Sequence, residues 1–185
     1  MGEGQTTVSL KTEMPIDARA LALRLLDAWN ARDLAGFLDL LSDDIEWYDP
    51  AMLRPPARGR EAVRRFAEAV LTAFPDFRYE VLEPSCVAAD GSRCVLHWRI
   101  SATHLAPLTP PGFAPTGRRF QQEGLDLIDV AGGKVIRILT CFDTIGAAEQ
   151  LLGLTLRAAP GSWRERVVVW LQRLAAARAR RLRGS

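Results

Sequence analysis

Four weakly polar or apolar residues, Leu139-Thr140-Cys141-Phe142, lead into a lone carboxylate, Asp143, and a helix-forming segment starts at Thr144. Taking a carboxylate out of water is costly, and a residue that only shapes the chain seldom bears that cost. In apolar surroundings desolvation raises the pKa of such a group, making it a stronger base and a usable acid near neutrality. The chemistry it suits is removal of a proton beside a carbonyl and later delivery of a proton to an oxygen. The competing reading is that Asp143 caps the helix that follows it; the two roles are compatible. Two further polar groups stand at strand ends. Asp49 closes Ile45–Tyr48 at an Asp-Pro turn, and His104 closes a long strand before a proline-rich segment. His97 lies seven residues before His104, hence on the opposite strand face, and reads as structural.

The elements that must position these groups follow from periodicity and punctuation. Asp17 caps a helix with a broad apolar side that runs to about Asn30, and Asp33 caps a short second helix carrying Leu34, Phe37, Leu38 and Leu41. Ser42-Asp43-Asp44 breaks it, and a short strand, Ile45–Tyr48, follows. A proline-containing loop over 51–60 leads to a helix over 60–74 with Val63, Phe66, Ala67, Val70, Leu71 and Phe74 on one side. Strands are expected over 77–84 and 93–104 around the turn Ala89-Asp90-Gly91-Ser92, then over 118–130 and 134–143 around Ala131-Gly132-Gly133. Between them, 106–117 holds four prolines and two glycines, a loop long enough to be functional. Helices first, then a meander of long antiparallel strands, predicts an α+β fold with helices on one face of a bent sheet.

The residues that carry a family resemblance are Asp43-Asp44, Tyr48-Asp49-Pro50, Gly59 with Glu61-Ala62-Val63, Phe74-Pro75-Asp76 and Thr103-His104. They continue through Pro115-Thr116-Gly117-Arg118, Gly124, Gly133-Lys134-Val135, Asp143 and Gln150-Leu151-Leu152-Gly153. In this order and spacing, from about Ala18 to Gly153, the chain resembles the SnoaL-like polyketide cyclases of the nuclear transport factor 2-like group, which also holds ketosteroid isomerase and limonene epoxide hydrolase. The resemblance implies a cone, a strongly bent antiparallel sheet wrapped round helices with an apolar cavity open at one end. It implies that Asp143 is the general acid/base, facing inward, with His104 near the substrate to donate a hydrogen bond or shuttle a proton. Asp49 falls on the base of ketosteroid isomerase, whereas the enolate-stabilising tyrosine of that enzyme falls on Leu25. Limonene-type epoxide hydrolysis wants a carboxylate where this chain has Thr140.

Period two along the last strand groups Val135, Arg137, Leu139, Cys141 and Asp143 on one face. With Asp143 inward, Leu139 and Cys141 line the cavity. Leu139 stands where close relatives usually have Trp. Trp29, Trp47 and Trp98 are expected in the cavity wall or core. The other face of the strand is apolar too, so a homodimer through the sheet is expected to cover it. No metal-ligand cluster, phosphate-cradling loop or nucleophilic triad is readable, so a metal-free, cofactor-independent reaction is expected. It would be a cyclase or isomerase acting on a small apolar, carbonyl-bearing, polyketide-like substrate. The alternative is a non-catalytic module that binds an apolar small molecule, or a dimeric scaffold.

The chain divides into a disordered start (1–14), the cone domain (15–155) and a basic amphipathic helix (160–185). From Trp163 onward there are seven arginines and one glutamate, which leaves the rest of the chain at −4 within an overall +2. An acidic domain excludes a general nucleic-acid-binding surface. In the last helix Trp163, Val167, Trp170, Leu174 and Ala177 form a seam expected to pack on its own domain or a partner subunit, with an anionic membrane surface, or docking on another protein or nucleic acid, as the weaker alternatives. Cys86, Cys94 and Cys141 read as small core residues of a reducing compartment. A cytoplasmic protein is expected, since no apolar run reaches the ~20 residues that cross a bilayer.

Overall fold

The computed structural model describes residues 17–52, 55–82, 86–155 and 157–183; the stretch 1–14, expected to be disordered, lies outside them. Helix α1 (Ala18–Asn30) begins where the Asp17 carboxylate accepts from the Ala20 N–H at 3.1 Å. Helix α2 (Leu34–Asp39) begins likewise at Asp33, which accepts from Gly36 at 2.8 Å. These two caps satisfy backbone donors that a helix start leaves without partners. Strand β1 (Leu41–Tyr48) starts at Leu41, before the polar trio that reads as a helix break, because Leu41 is fully buried and pairs with Val135. Strand β2 (Ala57–Arg58), helix α3 (Arg60–Ala73), and strands β3 (Arg78–Val81) and β4 (Cys86–Val87) follow. The long strands β5 (Arg93–Thr103), β6 (Arg119–Ala131) and β7 (Lys134–Phe142) then lead to α4 (Thr144–Leu152) and α5 (Trp163–Arg183).

The strands form one sheet in the order β2-β1-β7-β6-β5-β3, with β4 also paired to β5. It is mixed rather than wholly antiparallel, since β1 runs parallel to β7. Hairpins force neighbours antiparallel, but β1 reaches the sheet from a helix pair and is under no such constraint. Helix α1 packs across β3, β5, β6 and β7, and α3 packs against β1 and β2, so both lie inside the curl of the sheet. The inner face of β6 carries Phe120, Gln122, Gly124, Asp126, Ile128 and Val130, all buried in strict alternation. Gly124 is required there: a Cβ would stand 2.4 Å from the Trp98 ring and 2.6 Å from the Cys141 carbonyl oxygen.

On β7 the expected alternation breaks. Asp129 of β6 pairs with Arg137, but the next residue, Val130, pairs with Val135. Ile136 is therefore an extra residue, a β-bulge that shifts the strand by one face. Val135 is inside, Ile136 and Arg137 are outside, and Ile138 and Thr140 are inside again. The face expected to line the cavity, with Leu139, Cys141 and Asp143, is consequently the outer one. Cys141 and Cys86 are exposed, and only Cys94 is a core residue as expected.

Candidate active site

The inside of the cone holds a cavity of about 690 Å³, within the range of small-molecule sites. Its wall is built from Trp29 of α1, Trp47 of β1, Phe66 and Val70 of α3, Tyr79 of β3, Trp98 and Ile100 of β5, Phe120 of β6, and Thr140 and Phe142 of β7. The aromatic rings meet edge to face, Trp29 at 5.9 Å from Trp47 and 5.7 Å from Phe77, and Tyr79 at 5.5 Å from Trp98. That geometry suits ring quadrupoles and makes a stiff wall. The three tryptophans expected in the wall are in it.

Tyr79 is held in place from the end of α1. The Asn30 side chain accepts from the Tyr79 N–H at 2.8 Å and donates to its carbonyl at 3.0 Å. Arg32, with a positive φ of 61°, donates to the carbonyls of Pro75 and Phe77 at 2.8 and 2.6 Å. These bonds tie the turn between α3 and β3 to the α1–α2 corner.

Two carboxylates belong to this interior. Asp49 lines the cavity just beyond β1; it is 8% exposed and accepts from the Ala51 N–H at 2.8 Å. Burial outweighs that bond and pushes its pKa up to about 6. Asp126, 4% exposed, sits on β6 directly across from Thr140. Burial, together with the charge on Asp49, pushes its pKa up to about 7, against the Thr140 hydroxyl and the Trp98 indole, which both favour its charged form. Thr140 Oγ1 accepts from Trp47 Nε1 at 3.0 Å, so its own proton is free for Asp126, and the chain of donors polarises in one direction. Trp29 Nε1, in the cavity wall, is buried without a hydrogen bond, which leaves a donor for a ligand. Tyr79 keeps its proton: burial and then the charges of Asp126 and Asp49 raise its pKa well above the ordinary value.

The interior is thus a greasy chamber lined by one carboxyl, Asp49, and one phenol, Tyr79, with a second carboxyl, Asp126, buried beside its wall. Asp49 gives up its proton first, and Asp126, raised mainly by burial and also by the charge on Asp49, holds its own to higher pH. Among the described residues, no group of three His, Cys, Asp or Glu side chains could hold a metal ion.

Asp143 is elsewhere. It is exposed on the outside of the sheet, caps α4 by accepting from Gly146 at 3.0 Å, and pairs with Arg157, which also lies 3.8 Å from Glu149. The Arg157 guanidinium and then the Gly146 N–H hold its carboxyl below the usual carboxylate range. The expected inward position and raised pKa are both overturned. The cause is the strand phase set by the bulge at Ile136, together with an arginine outside the stretch that carries the resemblance. With it, Leu139 and Cys141 leave the candidate pocket. His104 is buried one layer behind the wall, its ring 5.2 Å from that of Phe74, with Nδ1 3.4 Å from Thr116 Oγ1 and Nε2 unpaired. Burial lowers its pKa and keeps the imidazole neutral. His97 is on the outer face, 4.0 Å from Glu123.

Asp126 and Tyr79 are absent from the sequence reading. A signal for Asp126 was present: it is a carboxylate on the inner side of a strand that alternates strictly around it. Tyr79 had none, because its place depends on the long-range bonds from Asn30 and Arg32.

The architecture, an open curled sheet round helices with an apolar hollow, is that of the nuclear transport factor 2-like proteins. A model of the SnoaL-like domain matches residues 22–138. The chain belongs to the SnoaL-like family. Solved structures share the fold. AclR of Streptomyces galilaeus, described as a candidate hydroxylase, is 26% identical over 74% of this chain and 96% of its own, with a TM-score of 0.61. A candidate polyketide cyclase from Pseudomonas putida is 21% identical over 74% and 98%, with a TM-score of 0.64. A candidate SnoaL-like polyketide cyclase from Jannaschia sp. is 20% identical over 79% and 98%, with a TM-score of 0.65. No curated protein matches the chain.

The placement of Asp143 on the outside of the sheet makes a direct prediction. Asp143→Asn keeps an acceptor for the Gly146 N–H and loses only an exposed ion pair, which is worth little. It is expected to leave ligand binding in the cavity and any turnover at the unmodified level, as judged by ligand titration and rate measurement.

Proposed function

We propose that the protein is a cofactor-independent cyclase or isomerase of apolar, carbonyl-bearing molecules of polyketide type, working through Asp49 and Asp126 rather than Asp143. The observation that carries this reading is Asp49, a buried carboxyl lining the apolar cavity with a pKa raised to about 6, next to which Asp126, raised to about 7, is buried beside the wall residues Thr140 and Trp98. Asp49 removes a proton from the carbon beside the carbonyl. The Tyr79 phenol in the wall donates a hydrogen bond to the oxygen where the enolate charge develops, which is where stabilisation counts most, and protonated Asp126, beside the wall residue Thr140, keeps a negative charge away from it. The proton then returns to carbon, or the enolate closes on a second carbonyl of the same molecule. The stiff aromatic wall holds a flexible substrate in a reactive shape, a large source of rate in its own right. His104, neutral and behind Phe74, supports the wall and the 104–118 corner.

The test is proton exchange. With 2-tetralone in deuterated buffer, followed by NMR, the protein is expected to speed exchange at the carbons beside the carbonyl. Tight binding of the ketone with no acceleration would replace catalysis by the second reading, a carrier of apolar ligands, which the preponderance of apolar side chains in the wall favours.

A homodimer belongs to the same reading. The outer sheet face exposes Leu125, Ile136 and Cys141 beside half-buried Val95, Leu127 and Leu139, an apolar patch that a second copy of the same face would cover. Light scattering is expected to give a dimer mass, and Leu125→Arg a monomer. A cytoplasmic setting, where thiols such as the exposed Cys86 and Cys141 stay reduced, completes the proposal.

A further inference from the structure

Helix α5 runs for 21 residues, about 30 Å at 1.5 Å per residue, and its apolar side chains face water. Trp163 is 67% exposed and Trp170 59%, and Val167, Leu171 and Leu174 are exposed with them. The expected packing of the seam on its own domain is not what the structure shows. At 100° per residue, Trp163, Val167, Trp170 and Leu174 make one stripe with Leu171 at its edge, and Arg164, Arg166 and Arg173 flank it. Arg164 lies over the Trp163 ring at 5.7 Å. Further along come Arg178, Arg180, Arg181 and Arg183, so the helix carries a net +6.

From this we infer that α5 docks the protein on the surface of an anionic phospholipid bilayer. An anionic bilayer meets both halves of the pattern. The headgroup boundary takes the tryptophans, which favour that depth, while the flanking guanidiniums reach the phosphates. Among the described residues no helix is long and apolar enough to cross a membrane, so α5 lies on the surface. Competing occupants satisfy only one half. A nucleic acid would neutralise the arginines and leave two tryptophans in water. Pairing with α5 of a second copy would cover the stripe but bring two +6 helices together over about two heptads, fewer than a coiled coil needs. The charge of −4 on the remainder of the chain keeps the cone off the lipid and leaves attachment to α5 alone.

The test uses the 185-residue chain and sedimentation with vesicles of phosphatidylcholine, with or without phosphatidylglycerol. The expected result is co-sedimentation with the phosphatidylglycerol vesicles and not with the neutral ones, weakened by salt, with a blue shift in tryptophan emission. Two double variants should each lower the partition coefficient about tenfold or more: Arg166→Glu with Arg173→Glu, and Trp163→Ser with Trp170→Ser. Circular dichroism and melting temperature check that the cone stays folded in both. Absence of vesicle binding, equal binding to neutral vesicles, or indifference to both double variants overturns the inference. So does preference for duplex RNA, or self-association through α5 without lipid binding. None of these readouts depends on the chemistry in the cavity.

Discussion

Asp49→Asn is expected to slow α-proton exchange by a factor of about 10²–10⁴, the usual worth of a positioned general base. The substitution is nearly isosteric, and the amide oxygen still accepts from the Ala51 N–H that orients the side chain, so the wall and ligand affinity should persist while the rate falls. The unmodified protein gives the pH dependence that identifies the group. Exchange rises as Asp49 loses its proton near pH 6 and declines as Asp126 loses its own near pH 7, a bell-shaped profile. In Asp49→Asn the acidic limb disappears together with most of the rate. An unaltered rate and an unaltered acidic limb in that variant would remove Asp49 from the mechanism. If Asp143→Asn were the variant that lost activity, the proposal that the chemistry rests on Asp49 and Asp126 would fall with it.

Asp126→Asn is expected to make the protein more stable in mild alkali while impairing it as an enzyme. The folded-state pKa of Asp126 is raised to about 7 from the ordinary 3.8. Between these values the native state binds a proton that the unfolded chain has released, so this group's contribution to stability falls as pH rises through that window. Above about pH 7 the folded protein carries a buried carboxylate facing Leu96 and Thr140, its register partners on β5 and β7. At 1.36 kcal/mol per pKa unit, this shift of about three units corresponds to about 4 kcal/mol, an upper bound because water and neighbouring dipoles relax around the charge. Asparagine avoids the charge and still accepts from Thr140. Urea unfolding at about pH 8 should show a gain toward that bound, and the gain should vanish near pH 4, where both side chains are neutral. Equal stability of the two proteins at both pH values would mean that Asp126 is not desolvated. A protein that tolerates such a cost in its own core fits the common trade of stability for a reactive site.

Much of the cone was legible in the chain. Asp17 and Asp33 cap where their types and positions say they should, α4 spans Thr144–Leu152, Gly91 marks the turn into β5, and Gly133 marks the hairpin between β6 and β7. These features rest on local physics: capping bonds, turn conformations, and apolar residues recurring at the period of a helix or strand. The wall tryptophans were legible for the same reason, since large apolar rings have few other places to go.

Which carboxylates lie inside the cone was decided elsewhere. Whether a strand residue faces the hollow or the solvent depends on one residue of phase, and the bulge at Ile136 is visible only when β7 is laid against Asp129 and Val130 of β6. That single inserted residue puts Thr140 inside and Asp143 outside. Likewise, no local pattern announces that Arg157 returns to neutralise Asp143, or that Asn30 brings Tyr79 into the wall. Local sequence thus determines which elements form and how each is apolar on one side; the burial of a charge is a property of everything packed around it, and only the closed sheet sets it.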